Sequence, residues 1–352
     1  MIKILTPLVT LLALLPACAR AAPRSTRTAR KEPRYGLVIA PMGDNSTLPL
    51  GYWLKGARWR GRNWDLAVLY YGDDPNFACK ECKIVWRGHG AKWNLLYRFL
   101  RETKGFHKLA HRYAAVMVAD DDLRMSAKEL NTFFDVMLAF NLTVAQPALC
   151  PGSYSDYWNN VGRREGVLLH YTNFIDLMAP AFAGKFFDSV VRGTLSNAVH
   201  HGSGLEFVWP YLAGWSGDTT AVVDAVCMQN MNEPWRQSKR YNAVEVPYGP
   251  EEEGDLTMAR FNLTQDVVMT AGMDWKVPLS LREVPAGTPI PKFNWRKKLD
   301  KSVAVTGGSD NHSGMAVFIV MLVACGGLLL FTGNQSRTKN RLQESTGKRV
   351  MD

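Results

Sequence analysis

Three consecutive carboxylates, Asp120, Asp121 and Asp122, directly follow the apolar run Ala114-Ala115-Val116-Met117-Val118-Ala119. Hard divalent cations prefer carboxylate oxygens, so a triplet delivered by a buried strand suggests a metal site. A solvated turn or helix start, where aspartates favour the positive end of the dipole, explains the same triplet equally well on its own. The surrounding elements have to decide between the two.

A continuous hexamer of Val, Ala and Met predicts a strand covered on both faces, as in a parallel sheet with helices on each side. Ser126 and Glu129 have the spacing of a capping box. Leu130, Phe133, Phe134, Met137 and Leu138 then repeat at the interval of one buried helical face. The triplet therefore occupies a strand-to-helix turn, outside the carboxyl end of a strand, where open α/β sheets bind their ligands. Further strands are predicted at 36–40, 65–71, 84–86, 142–145 and 167–170, with helices at about 92–101 and 181–191 and the segment Leu205–Trp209 completing the core. Alternation of this kind predicts an α/β domain over 35–245, built on a mainly parallel sheet with helices on both faces. From 246 to 314 the texture changes, with Glu251-Glu252-Glu253 and Pro285, Pro289 and Pro291, and predicts an appendage passing into a juxtamembrane stem.

The ends of the chain carry other signals. Residues 1–22 combine Lys3, an apolar run from Ile4 to Leu15 and small residues around Ala17 and Ala19, the layout of a cleaved secretory signal. The uncharged stretch Met315–Thr332 predicts a transmembrane helix of minimal length, and the basic tail 333–352 fits a cytoplasmic location. Together these predict a type I membrane protein anchored by a C-terminal helix in the secretory-pathway membrane (ER or Golgi) or the plasma membrane. The main domain would be lumenal or extracellular, and sequons at Asn45, Asn141, Asn262 and Asn311 would face the same side.

The net charge of +10 is terminal. Residues 20–34, which include the basic stem 23–34, contribute +5, the tail +3 and Lys3 one more, leaving about +1 for the rest, so no nucleic-acid partner is expected. Cys79, Cys82, Cys150 and Cys227 lie between signal and span and predict two disulfides, with three connectivities open. Cys79-Lys80-Glu81-Cys82 also has zinc or redox spacing, but no second such pair accompanies it.

An ordered set of segments then carries a family resemblance: Asn63–Leu66 with Tyr70–Asp73, Gly90–Trp93, the strand into Asp120–Asp122, Ala145–Leu149, Asn173–Pro180, Gly202–Phe207 and Val222–Ala225. In order and spacing these resemble the plant and bacterial domain-of-unknown-function family DUF707, whose plant members carry the label "lysine ketoglutarate reductase trans-splicing related". That family is similar in layout to nucleotide-sugar glycosyltransferases of the GT-A fold. The resemblance implies a Mn2+- or Mg2+-dependent glycosyltransferase moving a sugar from a nucleotide-sugar donor to a glycan or protein acceptor.

Under that resemblance Asp120 and Asp122 are the metal ligands, and Asp121 contacts ribose or metal. A cation bridging the departing diphosphate would stabilise the charge that gathers there. Glu206 is the first choice for the general base that takes the acceptor proton, with Asp176 second, because an Asp in the apolar context Asn173-Phe174-Ile175-Asp176 is either paired or functional. A capped helix start or a buried salt bridge explains Glu206 equally well. Asp73 offers an acceptor for a base or ribose, and Lys92 a charge for a phosphate. The chain departs from the family's pattern twice: Asn230 stands where a metal-binding His is expected, and Glu206 where Asp is expected. The competing expectation is a non-catalytic carbohydrate-binding or surface-interaction protein on the same fold. A zinc hydrolase built on His200-His201 lacks the HExxH spacing, and Asp120-Asp121-Asp122-Leu123-Arg124 lacks the DxDxT form of a haloacid-dehalogenase phosphatase.

Overall fold

Gly36–Met42 (β1) and Trp64–Tyr70 (β2) are buried at every residue. Burial on both faces is why neither alternates polar with apolar side chains. The computed structural model describes residues 34–44, 46–54, 61–106, 112–155, 158–214, 217–230, 249–263 and 282–291. All of these lie in the first of two units, Met1–Thr306, the second being Gly307–Asp352.

The remaining strands are β3 (Ile84–Arg87), β4 (Ala115–Val118), β5 (Leu123–Arg124), β6 (Val144–Leu149), β7 (Val167–Tyr171), β8 (Ala181–Ala183), β9 (Thr220–Asn230) and β10 (Glu283–Pro285). They form one sheet in the order β10-β7-β9-β6-β8-β4-β1-β2-β3, with β5 pairing to β9 off this path. β1 pairs in parallel with β2 and β4, β2 with β3, and β6 with β9. β8 runs antiparallel between β4 and β6, and β7 is antiparallel to both β9 and β10. The sheet is therefore mixed rather than mainly parallel. The cause is local: Ala181-Phe182-Ala183, expected to start a helix, inserts as a strand against Ala115–Met117 on one side and Val144–Ala145 on the other.

Helices cover both faces. They are α1 (Thr47–Trp53), α2 (Lys92–Glu102), α3 (Ala127–Ala139), α4 (Trp158–Val161), a helical stretch α5 made of Gly184–Phe186, a π turn Phe187–Val191 and Arg192–Thr194, then α6 (Leu205–Leu212) and α7 (Pro250–Arg260). Alternation along β1 divides the core between the faces. Val38, Ala40 and Met42 join Trp53, Phe133 and Phe134 from α1 and α3. Leu37 and Ile39 join Trp93 and Phe99 of α2, Phe187 of α5 and Trp209 of α6. Phe133 and Phe134 are fully buried, and each contributes on the order of 2 kcal/mol of transfer free energy. The capping box forms as expected: Glu129 N donates to Ser126 Oγ at 3.2 Å and Ser126 N to Glu129 Oε2 at 2.7 Å.

Two disulfides close, Cys79–Cys82 and Cys150–Cys227, which selects one of the three open connectivities. α7 and β10, both within the stretch expected to be an appendage, join the main unit: α7 packs on α6, and β10 pairs with β7.

The membrane expectations are corrected. Among the described residues no helix is long and apolar enough to cross a membrane. The expected span 315–332 lies outside the described residues, as do the signal 1–22, the stem from 23 to 33 and the tail 333–352. The structure therefore gives no C-terminal transmembrane helix as part of the fold class, no membrane partner through it, and no basis for a membrane-anchored secretory-pathway or plasma-membrane location.

Candidate active site

The carboxyl ends of β1, β2 and β4 meet at one edge of the sheet, and the side chains there are tied across the gaps between strands. Asp44, just past β1, accepts from Tyr70 Oη at the end of β2, and from the backbone N–H of Asp73 at 2.8 Å. Those hydrogen bonds, Tyr70 first, hold the Asp44 carboxyl below its ordinary range. Asp73 is exposed in the turn that Asp44 organises. Beyond β4, Asp121 accepts from Tyr71 Oη at 2.6 Å and from Ser46 Oγ. The triplet thus clamps the loops that follow three neighbouring strands.

Asp120 is engaged differently. Lys92, the first residue of α2, points its ammonium at Asp120 Oδ1 at 2.7 Å and at the carbonyls of Leu177 and Met178 at 2.5 and 3.2 Å. Asp120 N donates to Met178 O at 2.8 Å, so the segment around 178 lies across the end of β4. Burial pushes the Asp120 carboxyl up, and the Lys92 charge opposes it. Asp122 is half-buried in the turn that enters β5. Asn230, at the end of β9, pairs in register with Leu123. It donates from its backbone to Ser153 Oγ at 3.2 Å and from its amide to Tyr154 O at 3.4 Å.

Two further carboxyls stand behind this edge. Asp176 is 6 % exposed. Its Oδ1 accepts from Met178 N at 3.0 Å, and its own backbone N–H donates to Gln146 Oε1 in β6 at 2.5 Å. Burial pushes it up to about 6; the Met178 N–H opposes this, and the Asp120 charge adds to it. Glu206 lies in the first turn of α6, whose backbone carbonyl accepts from Ile175 N at 3.3 Å, next to Asp176 in the chain. It is 8 % exposed, and Oε2 has no hydrogen-bond partner among the described residues. Burial pushes Glu206 up to about 7, opposed by the N–H groups of Glu206 and Gly204 and reinforced by the charges of Asp176 and Glu253. Asp120, Asp176 and Glu206 therefore form one chain of interacting acids, the last two titrating where a general base must work.

No family model matches the chain, and no curated protein matches it. Among solved structures, S. aureus TarS aligns at 11 % identity and TM-score 0.38, covering 67 % of this chain and 43 % of that one. TarS 1–349 in complex with UDP aligns at 10 % identity and TM-score 0.37, covering 64 % of this chain and 70 % of that one. A197 from STIV aligns at 13 % identity and TM-score 0.35, over 56 % and 86 %. Each of these is a distant structural similarity. The likeness carries no residue role to this chain and gives no support to the DUF707 family expected from the sequence.

The metal expectation is corrected by the site's own chemistry. Among the described residues no group of three or more His, Cys, Asp or Glu is placed to hold a metal ion. The Lys92 ammonium sits on Asp120 Oδ1, and two hydroxyls donate to Asp121 Oδ2, so one oxygen of each of these carboxylates is already engaged by the chain itself. The Asn230 amide donates toward Tyr154 rather than completing a ligand shell. The donor set does not fit a resident divalent cation.

Several participants were not among the expected site residues. Ser46, Tyr71, Gln146 and Ser155 are ordinary residues whose partners lie far along the chain, from 21 to 75 positions away. Glu253 sits in an acidic run within the stretch expected to be an appendage, and it is 2 % exposed. Trp53, Trp64 and Trp93 are core residues and Trp86 is half-buried, which leaves none of these four as an exposed stacking platform.

Proposed function

We propose that this chain transfers a glycosyl group from a nucleotide-sugar donor to an acceptor hydroxyl without a resident divalent cation. The observation that carries the reading is Glu206: a carboxyl 8 % exposed, with Oε2 unpartnered among the described residues, electrostatically coupled to Asp176. A carboxyl raised to about 7 is half ionised at neutral pH, so it can take an acceptor proton and hold it. In this reading Glu206 is the general base and Asp176 its neighbour that keeps the proton affinity high. The exposed Asp73 and the edge residue Asp121 contact the donor, and Lys92 is the cation nearest to a departing diphosphate. The family-like segments of the sequence support the donor class, and the acceptor is a glycan or a protein.

The test is nucleoside diphosphate release from a panel of nucleotide sugars, with and without chelator, beside Glu206→Gln. The expected result is release from at least one donor that survives chelation and falls at least a hundredfold in the variant. Neither binding nor turnover of any nucleotide sugar would overturn the reading. Binding without turnover favours the carbohydrate-binding alternative.

A further inference from the structure

We propose that Glu253, on α7, is a positioning residue for Glu206, fixing the loop from which that carboxyl projects. The inference rests on the reading of Glu206 as general base, although its test does not require turnover. The Glu253 carboxylate receives three consecutive backbone N–H groups: His200 and His201 donate to Oε2, each at 3.0 Å, and Gly202 to Oε1 at 2.6 Å. Successive N–H groups converging on one point make an anion-binding nest. Here the chain fills the nest with its own carboxylate, at 2 % exposure, through charge-assisted bonds that are stronger than neutral ones.

The grip extends to the start of α6. Gly204, the N-cap, has φ +88° and no side-chain cap, and a Cβ there would lie 2.7 Å from Gly254 O. Two neighbouring residues of α7 therefore hold the loop, one by hydrogen bonds and one by close backbone contact. Glu206 follows two residues later, and its carboxyl interacts with the backbone N–H groups of Glu206 and Gly204. Its position is thus set by the same backbone that Glu253 fixes. Around Glu206 the charged groups are Glu253 from α7 and Asp176 from the segment before β8, with Asp120 and Lys92 acting on Asp176 in turn. On the loop itself, His200 Nδ1 pairs with Asn94 Oδ1 at 2.7 Å.

The experiment uses the whole chain and a hydrophobic carbodiimide, which modifies only protonated carboxyls; labelling of Glu206 is followed by peptide mass spectrometry against pH, alongside hydrogen exchange of residues 200–202. In the parent, labelling falls as pH rises through about 7. Glu253→Gln turns one acceptor into an NH2 group facing donors, so exchange at 200–202 accelerates at least tenfold. The labelling midpoint drops by half a pH unit or more. Glu253→Asp keeps the charge but shortens the reach; it accelerates exchange similarly and lowers the midpoint less, and it serves alone if the Gln variant does not fold. Faster exchange with an unchanged Glu206 midpoint in either variant overturns the proposal, as does unchanged exchange. A chain that turns over no nucleotide sugar yet shows these shifts sinks the transferase reading and leaves the positioning role standing.

Discussion

The Lys92 ammonium stands 2.7 Å from Asp120 Oδ1, with the carbonyls of Leu177 and Met178 taking its other two protons. Three donors thus meet three acceptors where a strand end, a helix start and the segment before β8 converge. An aspartate that suggests a cation ligand has its cation already, supplied by the chain. Removing the ammonium leaves a largely buried carboxylate and two carbonyls without their donor. Lys92→Met should therefore lower stability by about 2 kcal/mol, less than for a fully buried pair because Asp120 keeps some solvent access. For the same reason, neither Mn2+ nor a chelator should shift the unfolding midpoint of the parent. A rise of several degrees with Mn2+ that reverses on chelation would contradict the assignment of Lys92 as the resident charge.

The two raised carboxyls make a pH prediction whose sign follows from linkage. Glu206 is raised from 4.5 to about 7 and Asp176 from 3.8 to about 6. The folded state therefore binds these protons more tightly than the unfolded chain. Their stabilising contribution is fully present below about pH 4 and is lost as pH rises through 6 and 7, to the extent of about 3 kcal/mol for Glu206. Glu206→Gln mimics the protonated form at every pH. It should match the parent near pH 4 and exceed it by about 2 to 3 kcal/mol at pH 8. Denaturant titrations at the two pH values check this, and a variant less stable than the parent at pH 8 would show that the Glu206 carboxylate is well solvated or paired.

How much of this was legible in the sequence depends on the range of each interaction. The Ala115–Val118 strand, the Ser126–Glu129 capping box and helix α2 are local, written in apolar runs and three-residue spacings, and they form where expected. Phe182 was lost to a helical pattern because strand pairing depends on the free edges of β4 and β6, not on its neighbours in sequence. The acidic triplet was visible, but its meaning turned on Lys92, 28 residues earlier, and on Tyr71, 50 residues earlier. Glu253 was invisible for the opposite reason. Glu251-Glu252-Glu253 has a uniform polar texture, and only the docking of α7 onto α6 separates the one buried member from its exposed neighbours.

The two disulfides should differ in worth. Cys150–Cys227 closes a loop of 77 residues between β6 and β9, whereas Cys79–Cys82 spans three. Loop-closure entropy gives about 4 kcal/mol for the long loop and about 2 kcal/mol for the short one. Paired Ser substitutions compared by chemical denaturation at one temperature check the order. Equal losses would show that the reduced chain keeps the β6–β9 contacts when unfolded.

Gly204 offers a sharper test of how the Glu206 loop is held. At φ +88° an alanine pays left-handed strain of about 1 to 2 kcal/mol, and its Cβ would also stand 2.7 Å from Gly254 O, a backbone atom that moves only if α7 moves. Gly214 has a similar φ of +98° with nothing within 4 Å of the corresponding Cβ. Gly214→Ala should therefore show the strain alone, and Gly204→Ala the strain plus separation of α6 from α7. The expected difference is at least about 1 kcal/mol in unfolding free energy, accompanied by faster hydrogen exchange at 200–202 in the Gly204 variant only. Equal losses in the two variants would mean that α7 yields freely at Gly254, and the loop would then owe its position to Glu253 alone.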